Sequence, residues 1–382
     1  MKYAEKISEM MNAFSPEPLQ NHQMDEFYCG DTMEYRTSDK YVSPIEDIFD
    51  ACQMPSSQNA FLLLGHKGCG KSTELNKMSS RLYEQGYRVK TIYCSKDLDL
   101  FNLMYTDLFI LMGEALVSIA EEIQCPVREE ILLEMDNFWS ERTEITASQE
   151  LSATSIEAGF AGKTPNILSG LIEAFARIKA DLKYNEETRK EYRKKISVRS
   201  SEWIRLLNLI ADQITEKLEG NQPILIFEDL DKLDPEVAWK VFYHYAATLS
   251  GVSFPVIYTF PIGLSYDPRF SALEGYFRWK TLPMIKIETI TGEVYQEGVC
   301  VIQKIVEKRA RLELFETDVL EVMIRSTGGS LRDLFYLINT AATRAHRRGS
   351  ATISEEDARR AIEELKTSLT RRIDESDYPF LR

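Results

Sequence analysis

Eight consecutive residues, Gly65-His66-Lys67-Gly68-Cys69-Gly70-Lys71-Ser72, carry the densest chemistry in the chain. Their spacing is Gly-x-x-x-x-Gly-Lys-Ser. Glycines let a backbone curl until successive N–H groups converge on phosphate oxygens. The lysine then reaches the β- and γ-phosphates, and the serine hydroxyl ligates Mg²⁺. The expected ligand is ATP with Mg²⁺, cradled by Gly65 to Thr73, with Lys71 on the phosphates and Ser72 on the metal. A helix expected from Ser72 to Gln85 would point its positive end at the same anion. Cys69 satisfies a position that needs only a small residue, and His66 faces either the γ-phosphate or solvent.

Phosphate transfer to water also needs one carboxylate for the metal and another to orient the nucleophile. Ile224-Leu225-Ile226-Phe227-Glu228-Asp229-Leu230-Asp231 supplies four apolar residues of a buried strand, then acids where the strand leaves the sheet. In parallel sheets ligands bind at that carboxyl edge. By position Glu228 serves the metal and Asp229 the water. In a shifted register Asp229 serves the metal and Asp231 the water.

These residues must be positioned by a sheet. Short apolar runs at Ala60–Leu64, Arg88–Cys94, Pro223–Phe227 and Ser253–Phe260, with a weaker one at Met284–Ile287, read as strands separated by helical pattern. That order predicts an α/β fold with a parallel sheet and crossover helices. Ser43-Pro44 with Glu46 and Asp47 behind it reads as a helix start. Between 97 and 219 only helical periodicity appears, as in Glu202 to Ile214, far longer than the dozen or so residues a crossover needs. The small-residue stretch Ser152–Gly170 is expected to be a mobile loop. After residue 292 helices are expected near Glu293–Arg309, Glu316–Ser326, Ser330–Arg347 and Ser354–Thr367. The expected organisation is an N-terminal segment (1–55), a P-loop core (56–96 and 220–291), a large helical insertion (97–219) and a C-terminal all-helical lid (292–382).

Gly65–Ser72 together with Phe227-Glu228-Asp229-Leu230-Asp231-Lys232-Leu233 resembles the Walker A and Walker B motifs of AAA+ ATPases, in the flavour of the origin-recognition (initiator) and STAND groups. The resemblance covers about 40–95 and 220–368. It implies that Thr259, at the end of the fourth strand, acts as a sensor 1 residue on the γ-phosphate or attacking water. It also implies that Gly328-Gly329-Ser330-Leu331-Arg332 opens a sensor 2 helix, with Arg332 reading the γ-phosphate. Such proteins complete the site with an arginine from a neighbouring subunit; Arg269 and Arg278 are the arginines between the fourth and fifth strands. Assembly into a homo-oligomer is implied in the same way. This chain departs from the family by reversing the usual Asp-Glu order to Glu228-Asp229. Asp229 is one methylene shorter than the usual base, and a misplacement of about 1 Å can cost around a hundredfold in rate. Slow hydrolysis or a binding-only switch follows. The winged-helix domain that initiators carry after the lid is not expected here.

The remaining features bound the function. Forty-six basic against sixty acidic residues give a net charge of −14, which argues against wholesale adsorption to nucleic acid or anionic membrane. Six scattered cysteines without a Cys-x-x-Cys pair, and four dispersed histidines, offer no zinc spacing. Met1 to Lys6 carry no apolar run, so a start without a cleaved leader is expected. The apolar run Leu108–Ile119 is interrupted by Glu114 and is too short to span a bilayer. A cytoplasmic protein with no membrane partner is expected. The basic stretch Arg189–Lys195 with Arg199 interleaves with Glu186, Glu187 and Glu191, so a salt-bridged solvated helix face is favoured over a nucleic-acid contact. The leading expectation is an ATP-driven switch that couples nucleotide state to assembly or to a protein partner docking on the insertion, in a setting such as bacterial defence or mobile elements. A DNA-engaged assembly factor and, further off, a small-molecule kinase are the alternatives.

Overall fold

The computed structural model describes residues 1–37, 43–54, 58–140 and 167–371. The helices of seven or more residues are numbered α1 (Asn21–Phe27), α2 (Pro44–Gln53), α3 (Lys71–Glu84), α4 (Tyr105–Glu122), α5 (Glu129–Ser140), α6 (Ile167–Tyr184), α7 (Glu186–Val198), α8 (Ser200–Lys217), α9 (Gln296–Glu307), α10 (Val319–Arg325), α11 (Leu331–Arg347) and α12 (Glu355–Thr370). The strands are β1 (Ala60–Leu64), β2 (Arg88–Tyr93), β3 (Pro223–Glu228), β4 (Val256–Phe260) and β5 (Arg278–Thr281). The chain divides into two compact units: Met1–Asp47 with Gly65–Met78 and Leu282–Arg382, and Ile48–Leu64 with Ser79–Thr281.

The second unit contains the sheet. Its order is β2-β3-β4-β1-β5, and every ladder is parallel. β1, β3 and β4 are buried from end to end, so their continuous apolar runs are what a strand covered on both faces requires. The long helical run belongs to the same core: α4 packs on β2 and β3 and against α6 and α8. Aromatic rings lock these helices together, with Phe138 and Trp203 centred 4.8 Å apart and Trp139 and Trp203 5.0 Å apart. The Trp203 indole N–H donates to Phe109 O at 3.0 Å, so its one polar atom is satisfied in the interior. The stretch expected to be a mobile loop lies outside the described residues, apart from 167–170, which open α6.

The fifth strand was misplaced by the sequence pattern. It is Arg278–Thr281, paired with β1 from Phe61↔Arg278 to Leu64↔Thr281, rather than Met284–Ile287. The apolar alternation at Ile285 and Ile287 serves the helical core of the first unit instead, where Lys286 N–H donates to Tyr35 O at 2.9 Å. β5 is a polar edge strand, Arg-Trp-Lys-Thr, with no apolar run to announce it.

The first unit packs α9–α12 around a core that also takes in Ala4, Ile7, Met10, Ala13 and Phe14. The N-terminal segment is therefore part of this unit's interior. Ala4 N–H donates to Arg309 O at 2.8 Å, and Arg309 Nη1 donates to Ala13 O at 3.0 Å. Ser354 caps α12 by a reciprocal capping box with Asp357.

Candidate nucleotide site

In the first unit the chain passes from the end of β1 through Gly65–Gly70 into α3, whose first residue is Lys71. Lys71 is nearly buried, and its ammonium donates to the carbonyls of Gly65 (2.6 Å) and His66 (3.1 Å), at the opening of the loop. His66 and Lys67 are exposed, Cys69 is buried, and Thr73 Oγ1 accepts from Leu19 N–H at 3.3 Å. Gly68 has a left-handed backbone (φ +90°). A β-carbon there would lie 2.6 Å from Ser330 Oγ and 2.9 Å from Arg332 Cβ, so only glycine allows this approach.

The partner in that approach is the start of α11. Leu331 N–H donates to Gly68 O at 3.2 Å, and Ser330 caps the helix by accepting from Asp333 N–H at 3.3 Å. Gly329 (φ +85°) makes the turn possible, since a β-carbon would lie 2.1 Å from Ile285 O. The structure thus places the backbone of Arg332 beside Gly68 of the phosphate loop.

Sequence reasoning missed a second set of residues at the loop. Arg36 is 6% exposed, and its Nη1 donates to Cys69 O at 2.8 Å and Pro283 O at 2.7 Å. Tyr28 donates to the buried Glu74 carboxylate at 2.9 Å, and the Lys77 ammonium stands 4.0 Å over the Tyr28 ring. Burial pushes the Glu74 carboxyl above its ordinary value, against the pull of Arg36. Residues 1–55 show no helical or strand period that would flag Arg36 or Tyr28. Glu74 did leave a signal: it stands four residues before Met78 on the same face of α3, beside the buried stripe of Leu75, Met78 and Leu82.

In the second unit the acids leave β3. Glu228 is the last strand residue and is 3% exposed; Asp229 follows with a left-handed backbone (φ +73°). Its carboxylate accepts from Ser95 Oγ and from Lys232 Nζ, each at 2.5 Å. Burial raises the Asp229 carboxyl, but these two donors outweigh it and hold it below the ordinary carboxylate value. Thr259 is fully buried on β4. Its hydroxyl donates to Phe227 O at 3.2 Å and accepts from Leu230 N–H at 3.1 Å. Both bonds go to main chain on either side of Glu228-Asp229, so Thr259 staples that turn.

The two arginines considered for a neighbouring subunit part company. Arg269 is exposed, pairs with Asp267 at 2.7 Å and lies 4.5 Å over the Trp239 ring. Arg278 does not precede the fifth strand but begins it, with its guanidinium 5.7 Å from the Phe61 ring centre.

The basic helix α7 also differs from expectation. Arg189, Arg193 and Lys195 are buried. Arg193 Nε donates to Asp107 Oδ1 at 2.8 Å and its Nη2 to Asp107 Oδ2 at 2.5 Å; Lys195 donates to Trp139 O at 2.5 Å. The solvated pairs on this stretch include Lys190 with Glu186 at 2.7 Å and Arg199 with Glu202 at 2.6 Å. The periodicity misled because it treats charges as outward-facing, whereas α7 packs against α4, α6 and α8.

The fold and the loop define an α/β protein with a parallel P-loop sheet and a helical C-terminal part. Solved structures similar to this chain include Cdc6p from Pyrobaculum aerophilum, 14% identical over 93% of this chain and 70% of that one, with a TM-score of 0.42. The ORC2 protein of Aeropyrum pernix is similar in its ADPNP–ADP complexes (12% identical, 95% and 72% covered, TM-score 0.43) and in its ADP form (14%, 93% and 72%, 0.40). No protein-family model and no curated protein sequence matches the chain. The class stated here rests on the strand order and on the geometry of the loop. Among the described residues no helix is long and apolar enough to cross a membrane.

Proposed function

We propose that this protein binds ATP through Gly65–Thr73 and works as a nucleotide-gated switch of AAA+ type whose hydrolysis is slow. The observation that carries the reading is the phosphate loop itself: it ends at a helix N-terminus, holds its lysine on the loop carbonyls, and takes the start of α11 against Gly68. Backbone N–H groups, a lysine and a helix dipole together favour a polyphosphate over other anions. Arg332, at that contact, is the residue to register a γ-phosphate and pass its presence to the α9–α12 helices.

Mg²⁺ would accompany the nucleotide. Ser72 and Glu228 offer the hard oxygen donors that this ion prefers, and the ion would neutralise charge between the phosphates. Asp229 is the base in this reading, and its carboxylate is engaged by Ser95 and Lys232. A base with a depressed affinity for protons takes one from water poorly, which supports slow turnover. Of the two arginines, exposed Arg269 suits contact with a second copy better than Arg278. The protein partner, and its docking on the helices of 97–219, stand as part of this proposal. No observation favours DNA engagement through α7, whose central cations are internal.

The test is ATP hydrolysis per protomer across a wide range of protein concentration, with Lys71→Ala as blank, beside direct nucleotide titration. Turnover rising with concentration supports a site completed by a second copy. Binding without turnover supports a switch alone. Failure to bind ATP above the Lys71→Ala blank refutes the reading.

A further inference from the structure

We propose that Arg36, contributed by the N-terminal segment, is a positioning residue of the phosphate loop, aiming its backbone N–H groups at the nucleotide and joining the loop to the linker that precedes the helical part. The inference rests on the reading of Gly65–Thr73 as a nucleotide site.

Arg36 follows a short helical turn, Gly30–Tyr35, and is nine-tenths buried. One of its terminal nitrogens uses both hydrogens on main chain: Cys69 O in the loop at 2.8 Å, and Pro283 O in the linker at 2.7 Å. Another approaches Gly70, standing 3.6 Å from where a β-carbon on that glycine would be. The guanidinium is therefore laid along the Cys69–Gly70 peptide, directly before Lys71.

The Cys69–Gly70 peptide is trans, so the C=O of Cys69 and the N–H of Gly70 point in opposite directions within one plane. Fixing the carbonyl toward Arg36 turns the Gly70 N–H away from it. A full positive charge on the oxygen also polarises the amide, making that N–H a better donor to an anion.

Neighbouring contacts give the segment the stiffness this role needs. Leu19 O accepts from Asn76 Nδ2 at 2.9 Å, Tyr28 binds Glu74, and Tyr35 O accepts from Lys286 N–H. Residues 19–36 thus touch α3 on one side and the 283–286 linker on the other, and Arg36 bonds to both loop and linker. A phosphate that tightens the loop pulls on the same donor that holds Pro283.

The experiment compares the full chain with Arg36→Ala, Arg36→Lys and Arg36→Gln, with Lys71→Ala as blank. Affinity is read by titration with fluorescent ADP and ATP analogues, and folding by thermal melts without nucleotide. Arg36→Ala is expected to weaken ADP and ATP alike by about tenfold or more, the loss of a charge-assisted bond. Arg36→Lys should recover most of that loss, whereas Arg36→Gln, a donor without charge, should not, while melting at the same temperature as Arg36→Lys. If the alanine variant does not fold, the lysine and glutamine pair decides alone. Equal affinities for lysine and glutamine variants, or wild-type affinity in a folded alanine variant, overturn the proposal while leaving the nucleotide site standing. Wild-type protein that binds no better than Lys71→Ala overturns both.

Discussion

Replacing Arg193 by alanine tests whether α7 is an internal strut or an outward-facing basic surface. Arg193 is 8% exposed and its partner Asp107 about 1%. Two of its nitrogens bind the two Asp107 oxygens, and Nη2 also donates to Asn102 O at 2.5 Å. Without the guanidinium, Asp107 keeps a donor in Met104 N–H at 2.9 Å but loses the cation that offsets its burial. Breaking one side of such a pair costs about 3–5 kcal/mol, a large part of the roughly 5–15 kcal/mol that holds a domain together. For a folding unit of about 200 residues this lowers the melting temperature by around 10 °C. Replacing both partners by apolar residues of similar volume, Asp107→Leu with Arg193→Met, removes the stranded charge and should recover most of the loss. Thermal and urea melts of the single and double variants measure the cycle. A single variant that melts within about 1 °C of wild type, or a double variant no better than the single, would refute the placement of Arg193 in the interior. The same result bears on DNA: a charge reversal at Arg193 or Lys195 that abolishes binding would report lost folding.

Removing Lys232, as in Lys232→Met, takes from Asp229 the strongest contact that lowers it and leaves burial to raise it. The acid limb of the hydrolysis profile should move to higher pH; an unmoved limb would show that Asp229 is not the titrating base. Glu74 carries the opposite sign. Its folded carboxyl is raised by burial, so its cost to stability is absent below its unfolded value and grows as pH rises through the folded one. Glu74→Gln should therefore stabilise the protein increasingly as pH rises above the ordinary glutamate value, read from urea melts; a pH-independent difference would refute it. Gly68→Ala forces a left-handed alanine into Ser330 Oγ and Arg332 Cβ. It should cost about 1–3 kcal/mol and weaken nucleotide binding, and a variant with both unchanged would show that α11 does not sit against the loop.

How far the sequence reaches can be seen strand by strand. β1 and β3 were legible to within a residue because strands covered on both faces must be apolar throughout. β4 was legible except at its start: Pro255 has no N–H to give the ladder and instead accepts from Leu225 N–H at 3.0 Å. β5 was illegible, being polar and short, and Ile285 and Ile287 offered a better local pattern for a different purpose. Helix starts with a serine cap, at Ser43, Ser330 and Ser354, were readable because the cap is local chemistry.

The sequence by itself determined the phosphate loop, the acids at the end of β3 and the Ser330–Arg332 helix start, since each depends on neighbours within a few residues. Only the tertiary structure decided what those groups touch. It put Arg36 on the Cys69 carbonyl across 33 positions of chain, turned Thr259 onto main chain, tied Asp229 to Ser95 from the end of β2, and buried Arg189, Arg193 and Lys195 of α7. Spacing fixes which residues share a turn. Whether a charge meets water, a carboxylate or a carbonyl depends on which distant segment packs over it, and no local pattern carries that.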